Sequence, residues 1–152
     1  MKGYPRWFYP ALLLTVLVLV ATGFLLTPTL FDMRLEWDVP WRLQGNRQIA
    51  AGALHSATSF WMMAMLGSLW NIHMRAGWRH RKHWRSGIGI AVLMLFLLCT
   101  AIGIYYLADE WLALVAAVSH LAAGLLLFVL FVYHAIIGYR RAVLHKPHPH
   151  SL

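Results

Sequence analysis

Cysteine is almost absent from this chain of 152 residues, which has one, Cys99. A single thiol excludes a disulfide framework and a thiolate-held metal centre. Cys99 stands inside an apolar run and reads as a small buried hydrophobe. Acid is nearly as scarce, with five Asp and Glu against thirteen Lys and Arg. Charged residues make up 12% of the chain and hydrophobic ones 61%. A soluble domain of this size needs more polar surface than that, which points to a membrane.

What the chain has in abundance is long apolar runs. They predict helices over 8–26, 48–73, 87–107 and 111–139. Each is long enough for a hydrocarbon core of about 30 Å at about 1.5 Å per residue. The expected fold class is all-α, an integral membrane four-helix up-and-down bundle over 1–140 with a flexible tail at 141–152. The first run follows Lys2 and Arg6, as in a signal peptide. At about 18 residues it exceeds the usual apolar stretch of such a peptide. Thr27-Pro28-Thr29 is also a poor cleavage site. The run therefore reads as a retained helix.

Charge gives the orientation. Lys2, Arg6, Arg75, Arg79, Arg81, Lys82, Arg85, Arg140, Arg141 and Lys146 fall on one side of the predicted spans. Arg34, Arg42 and Arg47 fall on the other, with all five acids: Asp32, Glu36, Asp38, Asp109 and Glu110. The positive-inside rule puts both termini in the cytoplasm. The net charge of +8 is then a topology signal and a contact for anionic lipid, and no soluble module is left to bind nucleic acid. Seven of the eight tryptophans fall near span ends, where indoles prefer to sit, and Trp61 falls inside a span. The external segment 27–47 is too short for a domain. The tail from His145 to His150 reads as a solvated end.

Four of the nine histidines lie within apolar spans, and an ionisable side chain there usually has a functional partner. His120 and His134 are 14 residues apart, about 21 Å along a helix and within about 40° of one face. His55 and His73 are 18 apart, which is five turns and about 27 Å. The second and fourth helices run the same way, so His55 pairs in depth with His120 on the outer half and His73 with His134 on the inner half. Two levels of facing imidazoles are what two bis-histidine haems require. The 18 and 14 intervals differ by about one turn, or about 6 Å. Helix tilt or a π-bulge absorbs this, or else one histidine is not a ligand, His73 being the first to question and His55 the second.

Glycines add a second pattern. Gly89 and Gly103 on the third helix are also 14 apart, and Gly23 lies at the outer level of the first. Glycine lets a backbone approach a flat macrocycle closely, although ordinary helix packing uses it too. There is also a weak repeat. Ala-Thr-Gly-Phe-Leu ends the first span and Ala-Ile-Gly-Ile-Tyr the third, and each precedes a two-histidine helix.

With these histidines and glycines, residues 8–139 resemble the di-haem four-helix membrane cytochromes b. These include the bacterial cytochrome b561 group and the cytochrome b subunits of formate dehydrogenase and nickel–iron hydrogenase. The resemblance implies two non-covalent b-type haems, with His55 and His120 on the outer iron and His73 and His134 on the inner. It also implies electron transfer across the membrane and a quinone site near one haem. His120 and His134 match the family's spacing, whereas His55 and His73 match by depth alone. The first helix has no histidine, which excludes the variant that uses one there. Covalent attachment is not expected without Cys-x-x-Cys-His.

Three functions fit the sequence. The first is an electron-transfer subunit between membrane quinone and other subunits of a redox complex on the periplasmic side, with the acidic loop from Asp32 to Asp38 as a docking surface. Quinone-binding candidates are Arg42, Gln44, Gln48 and Asp109 outside, or Asn71 and Arg75 inside. The second is a stand-alone oxidoreductase that takes electrons from superoxide or another donor, its outer haem edge rimmed by Arg34, Arg42 or Arg47. The third is a cofactor-free anchor whose histidines form interhelical hydrogen bonds.

Overall fold

The computed structural model describes residues 4–70 and 84–144, and all its regular structure is helical. Four helices follow one another: α1 (Phe8–Leu35), α2 (Asn46–Leu69), α3 (Trp84–Tyr106) and α4 (Glu110–Leu144). Each contains a stretch long and apolar enough to cross a membrane. In such a setting a helix satisfies all its backbone polar groups internally, which favours it over any open alternative.

The helices pair as two antiparallel hairpins. Thr15 meets Met65 and Thr22 meets His55, so α1 and α2 run in opposite senses. Thr100 meets His120, while a Cβ on Gly103 would touch Ala116, giving α3 and α4 the same relation. α1 on α4 is the main contact between the hairpins. Around the hairpin turn of α3 and α4, Ala113, Ala116 and Ala117 are buried, which lets the backbones approach closely. Towards the opposite end the core changes to larger side chains: Phe8, Leu12, Met62, Met65 and Met94, backed by Leu127 and Phe131.

Most of the apolar surface faces outward. Only 6–17% of the most apolar window of each helix is buried within the chain. Leu14, Leu17, Phe24, Phe60, Leu125 and Val129 are exposed. Cys99 is exposed as well, which corrects its reading as a buried hydrophobe. It belongs to the apolar exterior of α3, where a weakly polar thiol is as compatible with its neighbours as in a core.

The first helix departs most from the sequence expectation. It runs nine residues past 26, through Pro28, which is fully buried. Pro28 has no N–H to give the Phe24 carbonyl, but proline is tolerated in apolar helices where neighbours compensate. Thr27 donates its hydroxyl to the Gly23 carbonyl one turn back, at 3.0 Å. The helix stops at Glu36, which takes the left-handed conformation at φ 55°. The N–H groups of Glu36 and Trp37 both donate to the Phe31 carbonyl.

The segment between α1 and α2 is correspondingly short, 36–45, and is fastened to α1. Arg42 forms an ion pair with Asp32. Trp41 stacks on Phe24 with ring centroids 5.3 Å apart, and Trp37 packs on Phe31 at 5.7 Å. Gly45 enters α2 at φ 55° and ψ −133°, backbone that only glycine adopts without strain. The second turn needs just three residues. Asp109 accepts the Leu112 N–H through its carboxylate at 2.8 Å, capping α4.

Candidate metal centre

Two half-buried histidines from different hairpins meet near the loop end of the bundle. The rings of His55 on α2 and His120 on α4 have centroids 6.4 Å apart and planes 69° to each other. Each ring is anchored through Nδ1 by a threonine of the preceding helix. Thr22 Oγ1 lies 2.9 Å from His55 Nδ1, and Thr100 Oγ1 lies 3.0 Å from His120 Nδ1.

The surrounding carbonyls assign the protons. His120 Nδ1 is also 3.1 Å from the Leu97 carbonyl oxygen. That oxygen can only accept, so Nδ1 carries the hydrogen. The Thr100 hydroxyl directs its own proton back to the carbonyls of Phe96 and Leu97, at 3.0 and 3.1 Å. The Thr22 hydroxyl does the same to Val18 and Leu19, at 2.7 and 3.2 Å. Both hydroxyl oxygens are left as acceptors for Nδ1–H. Both Nε2 atoms then keep an unprotonated lone pair, the form in which imidazole binds a metal.

This arrangement repeats with a constant offset. Val18, Leu19 and Thr22 on α1 correspond to Phe96, Leu97 and Thr100 on α3, each pair 78 residues apart. The sequence repeat had matched Gly23 with Gly103 instead. Those glycines do different things. A Cβ on Gly23 would lie 3.4 Å from His55 Cε1, so the ring rests against a bare backbone. A Cβ on Gly103 would come within 3.0 Å of the Ala116 Cβ, which places this glycine in the α3–α4 contact. Around Gly89 there is open space.

His134 is half-buried on α4, about 21 Å along the helix from His120. His73 lies outside the described residues, as do Asn71 and Arg75. Trp70 caps α2 and donates its N–H to the Leu66 carbonyl, as in a regular α-helix. Among the quinone candidates, Arg42 is committed to Asp32 and Asp109 to its cap. Gln44 is exposed and Gln48 half-buried at the loop end.

Two imidazoles from different hairpins could hold one metal ion between them. With metal–imidazole bonds of about 2 Å, two rings in line across one metal have centroids about 6 Å apart. The rings of His55 and His120 stand at that spacing. A metal-bound histidine almost always gives its other N–H to an oxygen acceptor, as both do here. Among the described residues no group of three or more His, Cys, Asp or Glu converges. No family model matches the chain, and no curated protein or solved structure matches it significantly.

Proposed function

We propose that the chain is a transmembrane electron-transfer subunit carrying two b-type haems, passing electrons between membrane quinone and a redox partner on the periplasmic side. One observation carries this reading: the rings of His55 and His120 stand 6.4 Å apart, each with its Nδ1 tied to a threonine hydroxyl. Haem b held in this way supplies one-electron transfer with no change of ligands. His55 and His120 would be the axial pair at the loop end, and His134 with His73 the pair at the other end. The apolar flanks of α1–α4 would keep water from the electron path, and Gly23 gives the His55 ring room. The exposed Glu36, Trp37 and Asp38 offer the partner an acidic, aromatic surface, since Asp32 is already paired with Arg42.

The test is a haem count on the chain purified in mild detergent. Two haems per chain are expected by pyridine haemochrome, with the sharp reduced α-band of a low-spin b-type centre. His120→Ala and His134→Ala should each remove one haem and leave the other. A colourless preparation from haem-sufficient cells would overturn the proposal.

A second reading draws on the same bonds. Thr22–His55 joins α1 to α2 and Thr100–His120 joins α3 to α4, which is what a cofactor-free anchor would use to lock its helices. It leaves unexplained why the two rings, drawn from different hairpins, stand only 6.4 Å apart. Chain that stays folded without haem, and loses stability when either threonine becomes valine, would favour it.

A further inference from the structure

We propose that Thr22 and Thr100 are a matched pair of positioning residues, fixing the rotation of the two axial imidazoles and enriching them in electrons. The inference rests on the haem reading above.

The geometry gives each threonine two tasks. The first is rotation about the ring's own axis. An imidazole held only by a metal at Nε2 turns freely, whereas one also held at Nδ1 does not. Thr22 comes from α1 and Thr100 from α3, on opposite sides of the bundle. Each draws its ring towards its own helix, and the planes settle 69° apart. Each threonine is itself immobile, being buried on a helix with its proton committed to a carbonyl one turn back. The second task is electronic. An oxygen that accepts Nδ1–H makes the ring a stronger donor to its metal. A stronger donor favours the ferric state and lowers the reduction potential. The carbonyl of Leu97, and that of Leu19 at the corresponding position, face the same rings. They keep the Nδ1 proton satisfied but stay fixed on the helix backbone.

Valine matches threonine in shape, so Thr22→Val and Thr100→Val remove a hydroxyl and almost no volume. Haem content, ferric electron paramagnetic resonance and redox titration are read on each variant, with Thr22→Ser and Thr100→Ser as conservative controls. Crossed axial planes leave two iron orbitals nearly equal in energy and give a strongly anisotropic low-spin signal. Parallel planes separate the orbitals and give an ordinary rhombic one. The expected wild-type signal for the His55–His120 haem is the anisotropic one. Each valine variant should move it towards the rhombic form and raise that haem's potential, with the second haem unchanged. Haem affinity at the site should fall by about 10- to 100-fold. Serine should restore most of the line shape and potential.

Valine variants whose signal and potential match wild type would overturn the inference while leaving the two-haem reading intact. A wild-type chain without haem would overturn the reading itself. Should a valine variant fail to accumulate, Thr→Cys keeps the volume, weakens the acceptor and is judged by the same two readouts. A loss of yield with unchanged potential would mark the threonines as structural and sink the proposal.

Discussion

Gly103 shows how little room the α3–α4 contact leaves. A Cβ there would stand 3.0 Å from the Ala116 Cβ and 3.3 Å from Leu107 Cδ1. The leucine tip can swing away, but the alanine methyl is fixed to the facing backbone. Gly103→Ala should therefore push the two helices apart and destabilise the folded chain by about 1–3 kcal/mol, the usual range for overpacking. A lowered thermal midpoint in detergent checks this, and Ala116→Gly in the same chain should recover most of the loss. An unchanged midpoint would show that the hairpin is looser than the contact implies. The residues of the site were only partly legible in the sequence. His55 and His120 stand out because imidazole is rare in an apolar run. Thr22 and Thr100 do not, because a threonine in such a run usually folds its hydroxyl back onto its own helix, as both also do here. The available signal was the 78-residue repeat of a leucine three residues before a threonine. Thr100 is also the one threonine in α3.

At the level of whole helices, apolar run length located all four elements, since an 18-residue apolar stretch has few other uses. Their ends were less visible. The first apolar run ends at 26, yet α1 carries Pro28 and its flanking threonines on to Leu35, because a buried proline loses one bond and keeps its packing. The actual stop is Glu36, an unfavourable residue for the left-handed region it occupies. Only glycine, and sometimes asparagine or aspartate, adopts that backbone routinely. Glu36→Gly should relieve about 1 kcal/mol of local strain, part of the saving being lost to glycine's greater freedom when unfolded. The readout is amide exchange at positions 36 and 37, whose N–H groups share the Phe31 carbonyl. Slower exchange at both is expected. Faster exchange would mean that the Glu36 side chain contributes more than its backbone costs. The antiparallel pairing of α1 with α2 and of α3 with α4 was the other legible feature at this scale, because successive spans of one layer alternate in direction. How the hairpins meet is given by the contact of α1 with α4 and by the approach of His55 to His120.

The molecule as a whole is two hairpins joined around a small polar centre and surrounded by apolar surface. With at most 17% of each apolar window buried inside the chain, the packing within one bundle accounts for little of the hydrophobic area. Such an exterior is better matched to an apolar medium than to water. Cys99 samples that exterior. It is exposed on α3, thirteenth in the twenty-residue candidate span Gly87–Tyr106 and next to Thr100 at the level of the histidine pair. As the chain's one thiol, it can be followed without engineering a probe. In membrane vesicles opened to reagent on both faces, a charged maleimide should leave Cys99 unmodified, whereas an apolar one that partitions into the bilayer should label it. Both should react fully in denaturing detergent. Labelling by the charged reagent in the intact membrane would mean that this face of α3 borders water, contrary to a lipid-facing span. Protection from both reagents until denaturation would mean that protein, not lipid, covers the face, and the exposed apolar surface of α3 would then be an interface. Lipid contact predicts the split between the two reagents, because only the bilayer separates them by solubility while leaving the thiol open.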